Sequence, residues 1–117
     1  MGANEISNRL HAAVKVSSNG TILARTAVIA SVVRTGLGLY TVTLSEPIAD
    51  ISAGAGAAAA AYDVACDLGN GLPPGDTGYV NVEQTSSTVF SVSTFDATAA
   101  IADVAFCLRI WRMLSAA

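Results

Sequence analysis

A chain of 117 residues holds one domain and one core, with no room for a second. Charged residues make up 13% of it against 52% hydrophobic, about half the roughly 25% charge usual in soluble domains, and a surface so short of charge tends to carry the contiguous apolar patches that mark protein contacts. The net charge of −3, with six Lys and Arg spread along the chain, argues against attraction to nucleic acid, and no run approaches the length of a membrane-spanning helix.

The first ten residues, Met1 to Leu10, read as a short polar leader of the single domain 1–117; they lack the basic start and apolar core of a secretory signal, so synthesis in the cytoplasm is expected. Period-two alternation then begins with Ala12, Val14 and Val16 on one face. Asn19-Gly20 predicts a type I′ hairpin turn, and the same turn explains Asn19-Gly20-Thr21 better than a glycosylation site does. The return strand is expected over Ile22 to Arg34, with Val28, Ala30 and Val32 on one side and Ile29, Ser31 and Val33 on the other.

Gly36 and Gly38 predict a second hairpin turn before Tyr40, Val42 and Leu44 alternate against Thr41 and Thr43, and Pro47 should end that strand near Ser45 or Glu46. Ala53 to Ala61, seven alanines and two glycines, is readable either as a helical turn or as an extended connection. Tyr62, Val64 and Cys66 alternate again, before Leu68 to Gly78 supplies the chemistry of a long loop. Val80 and Val82 open the next strand, and Phe90, Val92 and Thr94 follow Ser86-Ser87.

In the last strand Val104, Phe106, Leu108 and Ile110 face one way and Ala105, Cys107, Arg109 and Trp111 the other. A helix over Ala97 to Leu114 stays open on alanine content, although Phe, Cys, Ile and Trp at alternate positions favour the strand. The pattern predicts an all-β fold: a single-domain antiparallel sandwich, jelly-roll-like, of about seven to eight strands. Cys66 and Cys107 are expected as free, buried thiols.

Catalytic chemistry finds little starting material. His11 is the one histidine, and Gly-x-Ser-x-Gly, Cys-x-x-Cys, His-x-x-x-His and phosphate-loop patterns do not occur. Gly54-Ala55-Gly56-Ala57-Ala58-Ala59 meets the relaxed dinucleotide pattern, yet strand-like alternation resumes at Tyr62 where that pattern needs a long helix. Asp63, Asp67 and Asp76 lack the ordering of a calcium loop and read as solvated acids. The expectation is a protein that is no enzyme, with no cofactor and no metal. Leu37, Leu39, Trp111 and Met113 stand out instead as protein-interface candidates, the last two because they fall opposite the core face of their strand.

The run Val32-Val33-Arg34-Thr35-Gly36-Leu37-Gly38-Leu39-Tyr40-Thr41-Val42-Thr43-Leu44 resembles bacteriophage fibre and head-decoration proteins, in which a strand ends in Arg-x-Gly-x-Gly and restarts at Tyr-x-Val-x-Phe/Leu. Thr88 to Asp96 and Asp103 to Leu108 resemble the closing strands of the same domains. The resemblance implies a compact jelly-roll-like sandwich, commonly trimeric, on a virion surface. With a leader of residues 1–10 and no stalk, it favours a capsid decoration (cement) protein on the outer shell, partnered by its own copies and by the major capsid protein. The alternative is a receptor- or carbohydrate-binding head- or tail-fibre domain. Gly69 to Gly78, which has no Trp, Tyr or Phe, leans toward decoration.

Overall fold

The computed structural model describes residues 8–48, 62–68 and 78–113. Eight strands form there: β1 (Asn8–Val16), β2 (Ile22–Arg25), β3 (Ile29–Gly36), β4 (Leu39–Leu44), β5 (Tyr62–Leu68), β6 (Tyr79–Gln84), β7 (Val89–Phe95) and β8 (Phe106–Met113). They make two four-stranded antiparallel sheets, β2-β1-β8-β5 (sheet A) and β3-β4-β7-β6 (sheet B). The fold is the expected all-β sandwich. No helix occurs among the described residues, and β8 takes the place of the helix that alanine content had left open. Ala53 to Ala61 lies outside the described residues. The first and last of the described strands, β1 and β8, lie side by side in the centre of sheet A.

Local chemistry explains three departures from the simple alternation. The first hairpin turns through Ser18 and Asn19, with Gly20 N donating to Ser17 O at 3.0 Å and Ser17 N to Thr21 O at 2.9 Å. Only Gly20 takes positive φ (+92°), so this is the longer loop with one left-handed glycine and not a type I′ turn. Asn19 works through its side chain instead, Oδ1 accepting from Thr21 N at 3.0 Å. Second, the single return strand expected over Ile22 to Arg34 is two strands in different sheets. Thr26 breaks it: its Oγ1 accepts from Ala13 N and its amide donates to Ala13 O, after which Ile29 N donates back to Thr26 O. With no Gly or Pro there, a side-chain hydrogen bond does what turn residues usually signal.

Third, a bulge leaves Ala30 without a partner, and a one-residue slip exchanges the two faces of a strand. Ile29 and Val32, read as opposite, therefore both pair with inward residues, Leu44 and Val42, while Ser31 and Val33 pair with Thr43 and Thr41 on the outer face. A fourth irregularity falls at His11, between Leu10 and Ala12, in a strand that begins at Asn8, inside the stretch read as leader. The bulge lays the imidazole edge-on against Tyr62, ring centroids 5.3 Å apart. It also brings Nε2 to 3.3 Å from Glu46 Oε1, an approach without hydrogen-bond geometry. His11 thus bridges β1 of sheet A to the segment following β4 of sheet B.

The core lies between the sheets. Val14, Val16, Phe106, Leu108 and Ile110 come from sheet A and Tyr40, Val42, Phe90 and Val92 from sheet B, all at most 1% exposed. Tyr40 meets Phe106 edge-on at 5.0 Å, a geometry in which the positive ring edge faces the negative π-cloud. Thr94 is the one fully buried polar residue of the described core, and its hydroxyl is satisfied twice, donating to Ala102 O at 2.6 Å and accepting from Val104 N at 3.3 Å.

The cysteines divide between the faces. Cys66 pairs with Leu108 on the core side, where burial above all, and then the charges of Cys107 and Asp67, push its thiol up to about 12. Cys107 is on the outer face of sheet A beside Lys15 and Asp67, and both thiols are free but only half-buried, which corrects the expectation that they would be buried.

Leu108→Ala should destabilise the fold by about 2–5 kcal/mol, since 0% exposure leaves a cavity that close packing cannot collapse; chemical denaturation monitored by circular dichroism measures it. At pH 8 one thiol per native chain, Cys107, should react readily with a disulfide reagent while Cys66 waits for unfolding. Two fast native equivalents would contradict that placement.

Candidate interaction surface

The β3–β4 hairpin is fixed by a residue that has no side chain. Gly38 closes the two-residue turn with φ +66°, and a Cβ there would stand 2.6 Å from Ile101 Cγ1, 2.7 Å from Thr94 O and 2.9 Å from Ala102 O. Only glycine lets the turn lie this close to the β7–β8 connection. Asp103, on that connection, then accepts from Gly38 N at 2.6 Å and from Arg34 Nε at 3.0 Å, with Arg34 Nη2 at 2.9 Å from its other oxygen. Tyr40 donates to Ser18 O at 2.6 Å with Asp103 Oδ1 at 3.4 Å, joining the first hairpin to the same knot. The Arg34 hydrogen bond, followed by the Gly38 amide, holds the Asp103 carboxyl below the usual carboxylate range.

The knot presents an apolar end to solvent. Leu37 at the turn tip is 54% exposed and Leu39 39%. Ile101 packs over the bare Gly38 and bridges to Phe95, which in turn pairs with Tyr79 on β6. An aspartate turn delivers Ile101 to that place: Asp96 Oδ1 accepts from Thr98 N, Thr98 Oγ1 and Ala100 N, while Ala99 takes φ +65°. Val33 is 54% and Tyr79 55% exposed on the edge strands. Behind this end, the outer face of sheet B continues as hydroxyl rows, Ser31–Thr43–Val89, Val33–Thr41–Ser91–Glu83 and Leu39–Ser93–Asn81. Glu83, on edge strand β6, is the one charge in those rows.

The opposite face of the sandwich, the outer side of sheet A, is built differently. Its rows read Lys15–Cys107–Asp67, Ala13–Arg109–Ala65 and Leu10–Trp111–Asp63. Alanines floor it, so the long side chains stand up around shallow depressions, one of about 190 Å³ bordered by Lys15, Leu23, Asp67 and Arg109. Arg109 forms an ion pair with Asp67 and donates to Cys107 Sγ at 3.2 Å, which neutralises the centre of the face.

The four interface candidates of the sequence therefore separate. Leu37 and Leu39 share the apolar end of sheet B. Trp111 is half-buried on the outer side of sheet A, and Met113 lies in β8 with a side chain outside the described residues. Val33, Tyr79 and Ile101, which complete the apolar end, were missed. The bulge hid Val33, a strand start hid Tyr79, and Ile101 depends on the Asp96 turn, whose Asp-x-Thr pattern is the one signal that could have been read.

Asp67 is committed to Arg109 and Asp63 pairs with Trp111 on the sheet; Asp76 and the Gly54 pattern lie outside the described residues. Among the described residues no three His, Cys, Asp or Glu side chains gather as a metal site. Comparison with known proteins finds no matching family model, curated relative or solved structure.

Gly38→Ala should cost about 1–2 kcal/mol for its left-handed backbone alone, and more because two carbonyl oxygens crowd the new Cβ; thermal unfolding of the variant tests this. Asp103 has a folded pKa below its unfolded one, so its contribution is complete above the unfolded value and is lost as pH falls through the folded value. Asp103→Asn should accordingly be less stable than the wild type at neutral pH, and the gap should close on acidification below about pH 4. A gap independent of pH would sink this account of the knot.

Proposed function

We propose that this protein is a non-enzymatic structural component of a virion, a capsid decoration protein that self-associates and reinforces the outer shell through repeated contacts. The observation that carries the reading is the apolar end of sheet B: Leu37, Leu39, Ile101 and Tyr79 are 39–55% exposed about the turn and Phe95, with Val33 exposed behind them on the β3 edge, on a chain with 13% charged residues. Soluble monomers rarely expose large aliphatic side chains in one group unless something covers them. The Arg34-Thr35-Gly36-Leu37-Gly38 turn, on which the phage resemblance rests, is the element that builds this end, so likeness and geometry converge on the same residues. The partners of this reading are further copies of the chain and the major capsid protein.

One observation favours the alternative of a receptor- or carbohydrate-binding fibre domain. Tyr79, Asn81 and Glu83 project in a row from the exposed side of β6, an aromatic face followed by polar groups that could receive sugar hydroxyls. Decoration is preferred because aliphatic side chains outnumber the single exposed ring. Electron microscopy of intact particles carrying the labelled protein decides between them. Decoration predicts copies in a regular array over the shell, removable only with loss of capsid resistance to heat. Copies confined to the tail, with binding to host glycans abolished by Tyr79→Ala, would overturn decoration in favour of the fibre reading.

A further inference from the structure

We infer that Asn19 is a latent deamidation site, part of an Asn–Gly pair that the first hairpin requires and at the same time holds shut. In such a pair the Gly20 amide nitrogen, once it has lost its proton to hydroxide, attacks Asn19 Cγ; the bond from Cγ to the side-chain nitrogen breaks and ammonia leaves. Water then opens the cyclic imide at one of its two carbonyls. Opening at Cγ gives aspartate in the ordinary backbone, and opening at the main-chain carbonyl gives isoaspartate, whose backbone runs through Cβ and Cγ. Water is the one co-reactant, no oxidant or cofactor takes part, and a glycine in second place leaves the attacking nitrogen unshielded by a side chain.

The fold enforces that glycine. Gly20 sits at φ +92°, and a Cβ there would stand 3.0 Å from Arg34 Cβ and 3.3 Å from Arg34 N. The bulkier residue that would slow cyclisation is therefore excluded by backbone and neighbour together. Asn19 itself is exposed, so hydroxide and water reach it freely.

Against this exposure the hairpin engages both reacting groups. Gly20 N donates to Ser17 O at 3.0 Å, which keeps the proton on the nucleophile and aims it away from the Asn19 side chain. Asn19 Oδ1 accepts from Ser17 Oγ and, at 3.0 Å, from Thr21 N, which also lies 3.1 Å from Ser17 Oγ. Cyclisation needs both sets of bonds broken, so its rate follows the opening of the turn and not the exposure of Asn19. The consequence reaches past the loop. Ser18 O, one residue earlier, accepts from Tyr40 OH at 2.6 Å and ties this hairpin to the Asp103 cluster. Isoaspartate at position 19 adds a carbon to the backbone inside the loop that Ser17 N closes on Thr21 O at 2.9 Å, and the Tyr40 anchor loosens with it.

Peptide mapping by mass spectrometry tests the inference on the full chain, incubated at about pH 8 either folded or in guanidinium chloride. Asn19 should convert at least roughly tenfold more slowly in the folded protein than in the unfolded chain. Ser17→Ala, which removes a donor to Oδ1, should raise the folded rate about two- to tenfold, while Asn70, which also precedes a glycine, keeps its wild-type rate in the same digest. Aged protein enriched in isoaspartate at 19 should melt at a lower temperature than fresh protein. Should Ser17→Ala fail to fold, the folded-to-unfolded ratio of the wild type carries the test. Equal rates in the two states, no conversion of Asn19 in the unfolded chain, or a folded Ser17→Ala variant that converts at the wild-type rate would each overturn the inference. Acceleration of Asn19 and Asn70 by the same factor would do so too, since the variant would then be loosening the whole domain.

Discussion

One carboxylate holds together segments that the chain order keeps far apart. Asp103 lies on the connection that carries the chain from sheet B to sheet A, and it accepts from Arg34 at the end of β3 and from Gly38 in the turn that follows. Through Tyr40, which donates to Ser18 O, the same cluster touches the first hairpin. A carboxylate can serve so many donors because it is acceptor-only and presents about four lone-pair sites. The geometry depends on the missing Cβ of Gly38: any side chain there would push the turn off the backbone oxygens of Thr94 and Ala102 and out of reach of the acid. What is fixed in this way is the direction in which Leu37 and Leu39 leave the molecule, so the knot makes a presented surface out of a mobile kind of element.

The two outer faces answer the shortage of charge in opposite ways. Sheet A spends a large share of the charged residues of the described strands, then cancels them locally, Arg109 against Asp67, over a floor of alanines. Sheet B carries hydroxyls in its central rows and gathers aliphatic side chains at one end. Charge pairs exposed to water contribute little to stability, so the sheet A arrangement serves solubility more than folding. The hydroxyl face gives up that long-range repulsion and carries groups that bond only at short range.

How far the sequence revealed this depended on whether a residue obeys the period of its own strand. Phe106, Leu108 and Ile110 against Cys107, Arg109 and Trp111 were legible because β8 pairs without interruption from Phe106 to Ile110. So were Tyr40, Val42 and Leu44, and the stop before Pro47. Bulges defeated the same reasoning: at Ala30 the parity of β3 changes, and at His11 that of β1, because an unpaired residue leaves no mark in a hydrophobicity pattern. The break at Thr26 was invisible for another reason, being made by a hydroxyl that replaces a ladder hydrogen bond. In the candidate surface, Leu37 and Leu39 were readable from the two glycines beside them, whereas Ile101 arrives from more than sixty positions away through contacts that no local pattern records.

These irregularities also decide which surfaces are open to other chains. Among the described residues the two open sheets have four edge strands, β2, β5, β3 and β6, and an unprotected edge invites another strand to add to it. Each edge is obstructed. β2 is four residues long and bulged at Leu23, and β3 is bulged at both Ala30 and Thr35. β5 carries Asp63 and Asp67, and β6 carries Glu83. Bulges twist a strand out of register with an incoming partner, and a charge on a short edge strand would have to be buried by further pairing. With each edge of the described strands obstructed, the faces are what stay open: sheet A pairs its charges within the chain through Arg109 and Asp67, while the outer side of sheet B carries hydroxyls, the Arg34 on its edge strand being bound already to Asp103.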